Sequence, residues 1–256
     1  MPAAPYSLLA TFGGAALVAG FVDTIAGGGG MITVPALLLG GVPPLQVLGT
    51  NKLQGAFGVL VASISLRSKT GLDLKSAGIS FAMAFLGGAI GAFLIQLVDT
   101  KALDIMIPAV LSGIALYFML APAVKDVERK PRLAQAPYQM IVVPCIGLYD
   151  GLFGPGAGSF YALSGVALGG LGLVRATANA KLFNFSSNLA SLGVFVYGGK
   201  VLWLIGGIMI GGQVIGARLG ALAVHKGGEK LIRPMIIFVC LAMLAKYVLQ
   251  KTAMTF

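Results

Sequence analysis

The sequence predicts an all-α polytopic membrane protein made of two inverted-topology repeats, each a broken, re-entrant helical pair followed by three transmembrane helices. Three observations lead to that fold class. Of the 256 residues, 57% are hydrophobic and only 10% charged, against about 25% charged in soluble domains. Apolar runs of about 20 residues match a hydrocarbon core about 30 Å thick. Two stretches, GFVDTIAGGGGMITVPALLLGG (20–41) and GLYDGLFGPGAGSFYALSGVALGG (147–170), interrupt apolar runs in nearly the same way. A very apolar soluble core would need long polar loops, which this pattern lacks.

Taken in order, apolar stretches fall at 6–26, 31–42, 46–66, 76–98 and 101–120. The start, MPAAPYSLLATFGG, has no basic leader and reads as a retained membrane segment. A charged connector, KDVERKPRLAQAP (125–137), separates these from stretches at 138–153, 159–170, 176–197, 201–223 and 231–249. The expected organisation is a first repeat over 1–122, a cytoplasmic connector over 123–137 and a second repeat over 138–256. TNKL (50–53) is echoed by NAKL (179–182), GGAIGA (87–92) by GQVIGA (212–217), and Asp23 by Asp150. The pieces 31–42 and 159–170 would extend only about 18 Å at about 1.5 Å per residue. They are too short to cross alone, so each broken region enters and returns without a net crossing. Each repeat then crosses an odd number of times, which inverts the second copy; a parallel duplication is the alternative.

Charge placement tests that topology. One side receives Arg67, Lys69, Lys75, the connector's basic residues, Arg175, Lys226, Lys230 and Arg233, and the other only Lys101, Lys200 and Lys251. The bias obeys the positive-inside rule, placing the connector in the cytoplasm and both termini on the non-cytoplasmic side. It also accounts for the net charge of +10 without a nucleic-acid partner. Arg218 is expected to snorkel from its helix end. Asp73, Asp99, Asp104, Asp126, Glu128 and Glu229 are expected in solvated loops.

Non-helical backbone survives at membrane depth only when buried in protein or lining a wet cavity. Gly27 to Gly30 precede a helix expected to start near Met31. Gly154, Pro155, Gly156 and Gly158 precede one expected near Ser159. Each helix start offers free N–H donors and about half a positive charge, which suits an anion. Paired breaks in two repeats point to a transporter site. Glycines that only permit close packing are the competing explanation, and the better one for GGAIG (87–91) and GARLG (216–220). A nucleotide-binding loop lacks its strand context and Walker lysine.

Lys52 and Lys181 each sit near the start of an apolar helix, with Thr50, Asn51, Asn179, Asn184 and Asn188 close by. A charge at the bilayer centre costs about 2.5–3.5 kcal/mol on insertion scales, so buried lysines mark pathways. The duller alternative is snorkelling to a headgroup. Two ammonium groups and two helix N-termini meeting centrally would form an oxyanion trap. Asp23 and Asp150 are open to three roles: pairing with the lysines, capping the glycine turns, or carrying a coupling proton. Cys145 and Cys240 lie in apolar segments and read as free packing thiols. His225 has no metal-binding partners nearby, and no metal or cofactor is expected.

At these residues the chain resembles the TauE/SafE sulfite exporter family, also called toluene sulfonate uptake permeases. GFVDTIAGGGGMITVPALLLGGVPPLQVLGTNKL (20–53) looks like its first half-signature, and GLYDGLFGPGAGSF (147–160) with NAKLFNFSSNLASL (179–192) like its second. The fourth glycine of the first run stands against the proline and alanine of GPGAG as a variation within the pattern. The resemblance implies an inner-membrane carrier of small sulfur-containing anions such as sulfite, sulfoacetate or other short organosulfonates.

The resulting expectation is an exporter, not an enzyme, moving such an anion by alternating access. Its substrate-binding set is Gly28, Gly29, Gly30 and Met31, Thr50, Asn51 and Lys52, Gly156, Ala157, Gly158 and Ser159, with Asn179 and Lys181. A proton- or cation-coupled carrier of another small anion or metabolite is the first alternative, and a cation carrier using Asp23 and Asp150 the second. An intramembrane enzyme would need a nucleophile with a base or a metal cluster. Partners are the small anion and the lipid bilayer, and a homodimer is left open.

Overall fold

The computed structural model describes residues 6–70, 74–120 and 127–224. Asp73, Lys125, Asp126, His225, Lys226, Glu229, Lys230, Arg233, Cys240, Lys251 and the apolar run 231–249 lie outside the described residues.

Among the described residues every regular element is helical. α1 (Tyr6–Ala26) and α2 (Gly30–Leu39) form the first broken pair, followed by α3 (Pro44–Thr70), α4 (Leu74–Ile95) and α5 (Thr100–Leu120). After the connector come α6 (Gln135–Pro137), a π-helical turn (Tyr138–Val142) and α7 (Val143–Leu152), joined end to end. α8 (Ala157–Ala167) completes the second broken pair, followed by α9 (Leu173–Tyr197) and α10 (Trp203–Val224).

Three of these helices are long and apolar enough to cross a membrane, over Tyr6–Ile25, Ala77–Ile95 and Trp203–Ala223. α3 and α9 have the length, at 27 and 25 residues, but carry Thr50, Asn51, Lys52 and Gln54, and Lys181, Asn184, Ser187 and Asn188. Those side chains are buried within the protein, so the two most polar long helices form the centre. Their neighbours turn Phe85, Ile90 and Phe93 of α4, and Ile215 and Leu219 of α10, outward. This is a membrane protein whose apolar surface belongs to lipid.

The halves interlock. α1 packs along α10 while α7 packs along α4, and α3 and α9 pack on each other. Exchanging α1 with α7, α3 with α9 and α4 with α10 maps each contact onto another. Glycines make the closest seams. A Cβ on Gly91 would lie 2.9 Å from Leu152 N, and one on Gly216 would lie 2.9 Å from Phe21 N. GGAIG and GARLG therefore serve close packing, each against the broken helix of the other half.

Both broken pairs fold back to their own starting end. Arg129 N donates to Gly170 O (2.9 Å), and Arg132 N and Leu133 N donate to Leu168 O (2.9 and 3.1 Å). The connector thus binds the far end of α8 just before α6 and α7 begin. In the first pair, Gly40 at the end of α2 packs on Phe12, near the start of α1. The turn between α9 and α10 lies at the first pair's end, beside the start of α3, where Leu202 N donates to Thr50 Oγ1 (3.0 Å).

Two minor expectations need correction. Cys145 is exposed on the outer face of α7, because the buried positions there, Gly147, Asp150 and Gly151, belong to the opposite face. Asp104 sits within α5, exposed, because the helix already begins at Thr100. Asp99 accepts from Lys101 N (2.8 Å) at the N-terminus of that helix, a favourable place for a carboxylate.

Candidate functional site

α1 stops because Gly27 adopts the left-handed conformation (φ +79°) that glycine reaches without steric cost. Its N–H still donates to Asp23 O (2.7 Å). Two residues later Gly29 N donates to Asp23 Oδ1 (3.1 Å), so the carboxylate covers the start of α2, which begins at Gly30 rather than Met31. In the second half α7 ends at Leu152. Gly154 (φ +95°) and Gly156 (φ +79°) take the left-handed region, and α8 begins at Ala157, two residues earlier than expected.

The two breaks meet. A Cβ on Gly27 would lie 2.5 Å from Ser159 N and 2.6 Å from Gly158 C, and one on Gly30 would lie 3.1 Å from Pro155 Cα. The non-helical backbone of each half is thus shielded by the first turn of the helix that follows the other break, where hydrocarbon would leave it unpaired.

Both lysines come to this junction, and each meets the carboxylate of the opposite half. Lys52 on α3 donates to Asp150 Oδ1 (2.7 Å) and to Asp150 O. Lys181 on α9 donates to Asp23 O and lies 3.5 Å from Asp23 Oδ2. Both lysines are 1% exposed, so neither snorkels. The two ammonium groups thus converge within two crossed ion pairs, the pairing with the lysines that was one of the three roles open to the aspartates. A buried charge is tolerated only when paired and hydrogen-bonded, and the aspartates supply the partners.

The pairs are not equivalent. Asp150 Oδ2 also accepts from Ser187 Oγ and Asn188 Nδ2 (3.2 Å), and Asn188 is held by Asn184 Oδ1 (2.8 Å). Asp23 Oδ2 is buried and accepts no hydrogen bond. The difference lies in the sequence of the facing helix: α9 presents Asn184, Ser187 and Asn188 one turn apart on a single face. α3 places Gly55, Gly58 and Val59 the same distances beyond its own lysine.

Other expected site residues divide. Asn51 Oδ1 accepts from Thr33 Oγ1 of α2 (2.6 Å) and from Gln54 Nε2 (2.9 Å), which ties α2 to α3 beside Lys52. Thr50 is engaged elsewhere, by Leu202 N. Asn179 is only half-buried, on the turn of α9 preceding Lys181. Gly28, Met31, Ala157 and Gly158 are buried at the junction. The amides of Gly29, Met31 and Ala157 already donate to Asp23 Oδ1, Gly28 O and Gly154 O. Thr33, Gln54 and Ser187 were not anticipated. The usable signal was polar side chains repeating at helical spacing in otherwise apolar segments.

Broken helices whose breaks meet, a polar centre and buried crossed charges define a membrane transporter. A family model described as Sulfite exporter TauE/SafE matches residues 12–247, and the chain belongs to that family. It is 45% identical to a "Probable membrane transporter protein" of Haemophilus influenzae, over 91% of this chain and 92% of the other. It is 43% identical to "Probable membrane transporter protein ORF9" of Sinorhizobium sp, over 96% and 95%. It is 45% identical to "Probable membrane transporter protein YfcA" of Escherichia coli K12, over 90% and 86%. No solved structure matches the chain.

Proposed function

We propose that this transporter carries a small sulfur-containing oxyanion, of the sulfite or short organosulfonate class, outward across the inner membrane by alternating access. The observation that carries the reading is the junction of the two breaks, where helix starts from both halves meet beside two buried lysines. Lys52 and Lys181 supply the positive charge. Of the helix-start amides, those of Gly30 and Gly158 are among the first residues of α2 and α8, whose N–H groups have no intrahelical partner, and they suit the anion's oxygens. Asn51, held by Thr33 and Gln54, adds a polar wall. The remaining expected ligands, Gly28, Gly29, Met31, Gly156, Ala157, Ser159, Thr50 and Asn179, shape the junction or its approaches.

Inverted topology is part of the proposal. The α7–α8 pair returns to the connector, whereas α1 and α2 fold back to a separate end near Phe12. That arrangement supports opposed re-entrant pairs, with residues 1–122 and 138–256 as the rocking halves. The connector is then cytoplasmic and the termini are not. A cation carrier is less well supported, because both aspartates already face lysines.

The test is flux of sulfite and sulfoacetate in proteoliposomes. Wild-type protein is expected to move at least one of them, and Lys52→Ala with Lys181→Ala to abolish that movement. Unchanged flux in the double variant would remove the lysines from the site.

A further inference from the structure

The carboxylate of Asp23 occupies the position that the transported anion needs. Its Oδ1 takes the Gly29 N–H at the start of α2 (3.1 Å), and Lys181 lies 3.5 Å from its Oδ2. A helix N-terminal amide and a buried lysine are the two donor types assigned above to the cargo. Asp23 is therefore a built-in surrogate for substrate, and an anion can reach Lys181 only by displacing it.

Displacement has an electrostatic condition. As found, the Asp23–Lys181 pair is neutral. Adding a monoanion to Lys181 with Asp23 still ionised would leave an uncompensated negative charge among residues that are almost wholly buried, which is strongly unfavourable. Forming an O–H bond at Oδ2 removes that charge: a solvent proton adds to the carboxylate, and the cargo replaces the carboxylate as the counter-ion of Lys181. Oδ2 is the atom able to accept, since it is buried and takes no hydrogen bond. Asp150 is not placed for this role, because Lys52 occupies one oxygen and Ser187 and Asn188 the other.

The surroundings of Asp23 leave few competing groups. Among the described residues, Lys181 faces it from α9 and Lys52 approaches from α3 within its own pair. Asp150 is the carboxylate of α7, held in its own pair with Lys52. α2 carries no titratable side chain and α8 offers Tyr161. The charged residue of α10, Arg218, is exposed on the outer side of that helix.

We propose that Asp23 is the coupling carboxylate, taking up one proton for each monoanion that displaces it from Lys181, so that anion and proton move together. This rests on the transport reading above. It is tested with the full chain in proteoliposomes, using methanesulfonate or ethanesulfonate, whichever the wild type moves faster; both are monoanions over the whole pH range scanned. The apparent affinity of the wild type is expected to weaken by about tenfold per pH unit as pH rises, the linkage slope for one bound proton. A pH-sensitive dye should report proton entry with the anion. In Asp23→Asn the slope and the proton signal are expected to vanish, whatever rate remains, while Asp150→Asn keeps the slope. Where a variant does not fold, infrared difference spectra of the wild type should gain a protonated-carboxyl band when the anion is added. A flat wild-type profile, a slope that survives Asp23→Asn, loss of the slope in Asp150→Asn instead, or no carboxyl band would each overturn the assignment. Failure of the wild type to move any probe would refute the transport reading itself.

Discussion

Replacing Lys52 with methionine leaves Asp150 in the interior with no cation. The ammonium group now supplies the 2.7 Å ion pair to Oδ1 and a bond to the Asp150 carbonyl, with both side chains 1% exposed. Removing one member of a buried pair costs about 3–5 kcal/mol. Methionine keeps the unbranched reach, so little packing is lost. Ser187 and Asn188 still solvate Oδ2, which favours the lower end of that range. For a chain of this size each kcal/mol lowers the melting temperature by about 2–4 °C, so Lys52→Met should melt about 6–12 °C below wild type in detergent. Adding Asp150→Asn removes the stranded charge and should recover a coupling energy of about 2 kcal/mol. The assay is a thermal-unfolding double-mutant cycle. If the double variant melts no higher than Lys52→Met, the two residues do not act as a pair and the crossed-charge account of the site fails.

Two further outcomes follow from the same geometry. Gly27→Ala forces a left-handed alanine, at about 1–2 kcal/mol, and drives its Cβ to 2.5 Å from Ser159 N. It should lower the melting temperature and abolish anion flux, whereas Gly113→Ala, with nothing within 4 Å, should leave both unchanged. With the connector in the cytoplasm, Lys130→Cys should react with an impermeant maleimide in inverted membrane vesicles and not in intact cells; the opposite pattern would reverse the proposed orientation.

Much of the fold was legible because the solvent is lipid. Apolar runs had to be helices, since hydrocarbon satisfies no backbone group from outside. The two glycine stretches had to be breaks buried in protein, and both are. The site was less legible. Sequence repetition marked Asp23, Asp150, Lys52 and Lys181, but nothing local says that each aspartate meets the lysine of the other half, 158 or 98 positions away. Asn179 looked equivalent to Thr50 by repeat alignment. Yet Thr50 is bonded to the α9–α10 turn, whereas Asn179 stays half-buried, because the two ends of the molecule are built from different loops. Thr33, Gln54 and Ser187 escaped notice because a single hydroxyl or amide in an apolar helix gains meaning only from what it faces.

By itself the amino-acid order determined the solvent, the helical character, the duplicated plan and the places where helices must stop, all consequences of local chemistry against hydrocarbon. Tertiary structure alone decided that the broken ends meet back to back, that the charges cross between halves, and that one pair is fully bonded while the other keeps an oxygen bare. Those are distances between remote segments, and a buried charge is resolved by whichever group folding brings within reach.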